Sequence, residues 1–123
     1  MKNYKDQQTI LPYLMLVNAK EFIGFAQIVL DAEVILQKLA NDNQTVLVAE
    51  LKIGNTIILL SDAQDKYGRA FGNFFIYVDD VDLTFQTAIN HGASVVTEIA
   101  DMSYGRSGGI EDPFGNTWWL TTI

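Results

Sequence analysis

Hydrophobic residues along this chain come in short blocks with two different periods, separated by turn residues. Ile10-Leu11-Pro12-Tyr13-Leu14-Met15-Leu16-Val17 is a continuous apolar run of strand length. Asn18-Ala19 follows as a helix start. From Lys20 to Leu30 the residues Phe22, Phe25, Ala26, Val29 and Leu30 recur at helical spacing, an apolar stripe that faces a core. Gly24 weakens this helix by about 1 kcal/mol relative to alanine, and Asp31 is placed to end it in a left-handed conformation. Glu33 to Leu39 predicts a strand, Asn41-Asp42-Asn43 a turn, and Thr45 to Ile53 a second strand. Gly54-Asn55 is a two-residue hairpin signal leading into a strand over Thr56 to Leu60.

The polar stretch Ser61 to Arg69 reads as a linker. After it the order repeats. Asn73 to Val78 predicts a strand, and Asp79-Asp80 caps a helix over Val81 to His91, with Leu83, Phe85, Ala88 and Ile89 among its apolar residues. His91-Gly92 ends that helix, glycine being the usual residue just past a helix and a cation suiting the dipole there. Ser94 to Ala100 is a strand and Tyr104 to Glu111 a glycine-rich one, whose Gly105 and Gly108-Gly109 suggest bending or a bulge. Asp112-Pro113-Phe114-Gly115-Asn116 forms a turn, with Pro113 fixing φ and Gly115 supplying a positive φ. Thr117-Trp118-Trp119-Leu120 is the last strand. Side chains alternate along a strand, so Trp118 and Trp119 point to opposite faces.

Both halves therefore read βαβββ. A gapless slide by 61 residues pairs Val17 with Val78, Ile28 with Ile89, Ala32 with Ala93 and Val34 with Val95. It also pairs Glu50 with Glu111, Gly54 with Gly115, Asn55 with Asn116, Thr56 with Thr117 and Leu59 with Leu120. Four of these identities share one hairpin, and the predicted elements coincide, which points to a tandem duplication. On this reading the chain is one domain, 1–123, with a first module over about 10–61 and a second over about 72–123.

Composition narrows the chemistry. The 123 residues suffice for one domain with a core, and no apolar run reaches the roughly 18 residues of a membrane span. The polar start, Met1 to Gln8, lacks the apolar centre of a secretory leader. There is no cysteine, hence no disulfide framework, thiolate metal site or cysteine nucleophile, and the expected location is the cytoplasm. The net charge of −7 without a Lys/Arg cluster argues against nucleic-acid binding. The single histidine, His91, sits at a helix end, so no Ser-His-Asp or Cys-His set can be assembled. Asp79, Asp80 and Asp82 read as a helix N-cap and first-turn acids rather than as a carboxylate site.

The motifs Val78-Asp79-Asp80-Val81-Asp82 and Asp112-Pro113-Phe114-Gly115-Asn116 resemble those of the vicinal oxygen chelate superfamily of glyoxalase I, bleomycin- and fosfomycin-resistance proteins and extradiol dioxygenases. Pro12-Tyr13-Leu14 and Tyr104-Gly105-Arg106-Ser107-Gly108-Gly109, with Trp118-Trp119, look most like its PhnB-like branch. The resemblance implies an α+β fold of two tandem βαβββ modules, a curled mixed sheet around a cleft with helices outside. It also implies small ligands in that cleft and a homodimer, strand-swapped or side by side. Metal-using members hold a divalent ion with His and Glu from the first and fourth strands of each module. Carried over by the motifs, those positions here are Pro12, Ile58, Asn73 and Trp119. None is His or Glu, and a slip of one residue does not help. No metal, cofactor or catalytic residue is therefore expected.

With those positions taken as inward, the cleft receives Pro12, Leu14 and Leu16, then Thr56, Ile58 and Leu60, then Asn73, Phe75 and Tyr77, and finally Thr117, Trp119 and Thr121. Tyr13, Met15, Ile57, Leu59, Phe74, Ile76, Trp118 and Leu120 then pack under the helices. Both sheet faces are apolar, so the face without helices must meet a ligand, a second subunit or both. The expected ligand-binding residues are Asn73, Phe75, Tyr77, Trp119, Ile58, Tyr104 and Arg106, the last to meet an anion or an acid of a partner subunit. The reading favours metal-independent binding of a hydrophobic or planar organic molecule, resembling the drug-sequestering resistance proteins. The alternatives are a metal-dependent lyase, isomerase or dioxygenase of the same superfamily, and a non-catalytic dimeric interaction protein.

Overall fold

The computed structural model describes residues 3–64 and 68–123. The expected linker includes Asp65, Lys66 and Tyr67, which lie outside the described residues. The chain divides into two compact units, Met1–Phe71 and Gly72–Ile123.

The first unit runs β1 (Tyr13–Leu16), α1 (Ala19–Val29), β2 (Glu33–Leu39), β3 (Val46–Ile53) and β4 (Thr56–Asp62), and the second β5 (Asn73–Tyr77), α2 (Val81–Asn90), β6 (Ser94–Met102), β7 (Gly105–Glu111) and β8 (Thr117–Thr122). Each unit is βαβββ with one four-stranded mixed sheet, in the orders β1-β4-β3-β2 and β5-β8-β7-β6. The β1–β4 and β5–β8 pairs are parallel and the rest antiparallel. The α+β duplication read from the sequence is the fold observed.

Local chemistry explains the boundaries. Asp31 has φ 55, the left-handed conformation expected after α1, and Gly54 and Gly115 turn their hairpins with φ 58 and 97. Asp80 caps α2 through its carboxylate, which accepts from the Leu83 amide. His91 is the C-cap residue of α2, its Nδ1–H donating to the Thr87 carbonyl at 2.8 Å, and Gly92 follows with φ 99. The start of α1 differs from expectation. Asn18 occupies the cap position with φ 62 and makes no side-chain cap bond. The Ala19 amide donates instead to Asp62 Oδ1 on β4 at 3.0 Å, and the other oxygen of Asp62 takes the Val46 amide at 2.6 Å. In the second unit Thr122 on β8 acts similarly, accepting from the Val81 amide and donating to the Val78 carbonyl.

These caps fix which sheet face carries each helix. Thr122 reaches α2, so Trp118 and Leu120, two and four residues earlier, face α2 and are buried. Trp118 stacks on Phe74 with centroids 4.5 Å apart. Asp62 reaches α1, so Ile58 and Leu60 face α1, along with their neighbours Leu51, Ala49 and Leu14; all five are buried. This reverses the face expected for the first module. The open face there carries Tyr13, Met15, Ile57, Leu59 and Ser61, while Leu14, Leu16, Ile58 and Leu60 form the core. The cause is that the copies match at offsets other than 61. Ala19 and Val81, which begin the helices, are 62 apart, and Asp62 and Thr122, which cap them, are 60 apart. β1 and β4 are thus each one residue out of step with the slide, and a one-residue slip changes face. Tyr13 pairs with Leu59, whereas Phe74 pairs with Trp118, so the parallel pair is offset by two more residues in the first unit. A two-residue turn joins β3 to β4, while five residues join β7 to β8, so a gapless slide does not superpose the strands.

Candidate functional site

The open face of the second sheet is built in cross-strand rows. Asn73, Thr117 and Glu111 share one row, Phe75, Trp119 and Gly109 the next, and Tyr77, Thr121 and Ser107 the third. Trp119 is held at both ends. Its Nε1–H donates to Asn73 Oδ1 on β5 at 2.8 Å. Its benzo edge lies over Gly109 on β7, where a Cβ would come within 2.6 Å of the ring. The two anchors are on strands either side of β8, so the indole lies flat across the sheet, and the residue is half-buried. Only glycine permits this at position 109. Gly108 serves the other face, since a Cβ there would meet Phe85 and Ile99. The glycines of β7 are therefore places of close approach. The irregular register lies on β6, between Val95 and Thr97 and between Thr97 and Ala100.

Beside the indole is an exposed aromatic cluster. The Phe75 ring meets Tyr77 edge-on at 5.4 Å and lies 6.0 Å from Tyr104, and the three are 52%, 67% and 51% exposed. Beneath Tyr77 in the sheet, Ser107 and Thr121 are buried and joined hydroxyl to hydroxyl at 3.0 Å. Of the residues read from the sequence as ligand-binding, Asn73, Phe75, Tyr77, Trp119 and Tyr104 thus come together on the second sheet. Arg106 does not join them. It pairs with Thr122 in the ladder, on the α2 side, and grips Asp82 with Nε and Nη2, both at 2.9 Å, and Asp101 with Nη1 at 3.1 Å. These carboxylates raise the guanidinium pKa, and the Arg106 hydrogen bond holds the Asp82 carboxyl below its usual range. The acid expected from a partner subunit is supplied by the chain itself. Ile58 is likewise absent from the site, because it is buried on the α1 side of β4.

The turn that delivers β8 is organised by Asp112, a buried residue that sequence reasoning passed over. Its Oδ1 accepts from the amides of Phe114 and Asn116, and its Oδ2 from Asn116 Nδ2 and Trp118 Nε1, all between 2.8 and 3.0 Å. Asn116 Oδ1 in turn accepts from the Gly72 amide, tying the turn to the start of β5. The signal was present as an Asp-x-x-x-Asn-x-Trp spacing within one turn.

The two glutamates matched by the slide are not equivalent in the ladders. Glu50 opposes Leu59 and is buried, whereas Glu111 opposes Thr117 at the strand end and is exposed. Glu50 accepts a hydrogen bond from the Tyr4 hydroxyl at 2.6 Å. Among the described residues no group of three or more His, Cys, Asp or Glu comes together. The open face of the second sheet offers Asn73 Oδ1, already taken by the indole, hydroxyls, and a single carboxylate, the exposed Glu111 at the end of its row. One carboxylate without a second acid or a histidine does not fit a divalent site.

The sequence profile of the Glyoxalase/Bleomycin resistance protein/Dioxygenase superfamily matches residues 17–120, and the chain belongs to this superfamily. It is 30% identical over 126 residues to an uncharacterized protein of Mycobacterium bovis, covering 93% of this chain and 82% of that one. Among solved structures it resembles the PhnB protein from Bacillus cereus, with a TM-score of 0.79 at 18% identity over 94% of this chain and 100% of the other. TioX from Micromonospora sp. ML1 is similar too, with a TM-score of 0.74 at 21% identity, covering 93% of this chain and 94% of TioX.

Proposed function

We propose that the chain binds a planar, hydrophobic organic molecule on the open face of its second sheet, stacked on Trp119 and bordered by Phe75, Tyr77 and Tyr104. One observation carries this reading: an indole anchored at both ends across a sheet and left half-buried, beside three exposed aromatic rings. Large apolar surface left exposed in this way marks a contact site, and stacking suits flat ligands. Sequestration requires no proton transfer and no ion, in keeping with the donor set on that face. Membership of a superfamily whose description includes bleomycin resistance proteins supports the same class. Placement in the cytoplasm belongs to this proposal and rests on the absence of cysteine.

Titration of the protein with a panel of flat polycyclic compounds tests the reading, with tryptophan fluorescence and thermal shift as readouts. At least one member should quench Trp119 and raise the melting temperature, with no change after EDTA. Gly109→Ala lifts the indole from the sheet and should weaken binding about tenfold or more, consistent with an overpacking cost of about 1–3 kcal/mol. Binding that survives both Gly109→Ala and Trp119→Ala unchanged, or that requires an added metal, rules the proposal out.

A further inference from the structure

The first sheet also has an open face, and the chain covers part of it itself. Glu50, on the central strand β3, points away from α1 and is only 1% exposed. A carboxylate in the middle of a sheet face is a poor choice for packing alone, because removing it from water is costly unless a donor is provided. The donor comes from outside the sheet. Tyr4 lies in the arm before β1, and its hydroxyl donates to Glu50 Oε2 at 2.6 Å. The Tyr4 ring is itself buried.

Among its described residues the arm adds no strand to the sheet. Beside the Tyr4 bond, the Gln8 side-chain amide ties it down: Gln8 donates through Nε2 to the Ile57 carbonyl at 2.8 Å and accepts through Oε1 from the Ile57 amide at 3.0 Å. The Gln8 amide thus takes the place of the next backbone pair, just beyond the point where β1 meets β4. On the same face the hydroxyls of Tyr13 and Ser61 lie 3.3 Å apart. Position for position, Glu50 opposes Leu59 as Gly109 opposes Trp119, so this is the ladder position that carries the aromatic platform in the second unit.

We infer that the open face of the first sheet is a second binding site, for aromatic molecules bearing a hydroxyl donor, and that Tyr4 is the internal occupant such a ligand displaces. The Tyr4 phenol displays the chemistry selected: a buried ring with a hydroxyl donating to Glu50. The hydrogen bond to Glu50, Tyr4's burial and the Glu50 charge push the phenol up to about 12, so it remains a donor at neutral pH.

The test uses 4-methylphenol, the side chain of tyrosine as a free molecule, and 4-methylanisole, which has the ring without the donor. On the full chain, 4-methylphenol should speed hydrogen exchange of the Ile57 amide at least about tenfold, because that amide is released when the arm leaves, whereas 4-methylanisole should not. Tyr4→Ala removes the competitor and should bind 4-methylphenol about tenfold tighter than the unaltered chain. Adding Glu50→Gln should erase the preference for phenol over anisole. If Tyr4→Ala does not fold, Tyr4→Phe, which keeps the ring and loses the donor, should show the same ordering. The inference is overturned if neither variant binds the phenol, if both probes bind them equally, or if Ile57 stays protected when the phenol is bound. Binding confined to the second sheet gives this last result.

Discussion

Adjacent tryptophans on β8 have separate duties, and single neighbouring residues separate them. Trp118 is buried against Phe74 and donates its Nε1–H to Asp112, while Trp119 is kept flat by Asn73 and by the missing side chain of Gly109. Asp112 accepts four hydrogen bonds inside one turn, and its loss strands several donors in a buried place. Asp112→Ala should lower unfolding free energy by about 3 kcal/mol in urea titration, given the strength of bonds to charged groups. Asp112→Asn, which keeps one acceptor oxygen, should cost less. Tyr4 makes a prediction in pH. Its folded value of about 12 lies above the ordinary 10.0, so the stability it confers is complete below pH 10 and is lost as pH rises toward 12. Thermal melts across that window should show the decline in the unaltered chain and a shallower one in Tyr4→Phe.

At the scale of elements, each helix is begun by the last strand of its own sheet. Asp62 and Thr122 reach across to the first amides of α1 and α2, which couples helix formation to completion of the sheet. Asp62 also holds the first amide of β3, so Asp62→Ala removes two bonds and should cost about 2 kcal/mol, measurable in denaturant, with the α1 amides losing exchange protection first. Arg106 fastens the first turn of α2 to β7 through Asp82, and for that reason it is spent on structure rather than offered to a ligand. The elements themselves were legible in the sequence. Asp31, Gly54, Asp80 and Gly92 punctuate the chain as their conformations require. The facing of β1 and β4 was not legible. Offsets of 62 at the helix starts and 60 at the capping residues put β1 and β4 each one residue out of step with the slide of 61, which leaves the strand patterns intact and turns both strands over. Both faces of these strands are apolar, so alternation alone gives no parity.

For the molecule as a whole, the exposed rings of the second sheet and the charge of −7 have opposite effects on association. Apolar surface invites a second copy, and like charge opposes it, more so at low salt. A homodimer covering this face, the assembly that the family resemblance implies, should therefore tighten with added salt in sedimentation velocity. Tyr77→Lys should shift it toward monomer. Dimerisation unmoved by that change would place the interface elsewhere.

The sequence by itself determined the duplicated βαβββ order, the α+β class, the superfamily, the opposite facing of Trp118 and Trp119, and the aromatic set on the second sheet. These follow from local periodicity, turn chemistry and a repeated hairpin, all of which are properties of neighbouring residues. Only the tertiary structure decided that Ile58 is core, that Arg106 belongs to α2, that Asp62 caps α1 from 43 residues away, and that Tyr4 covers Glu50. Each of these depends on strand register or on a contact distant in sequence, and neither is encoded in the spacing of residues along one strand.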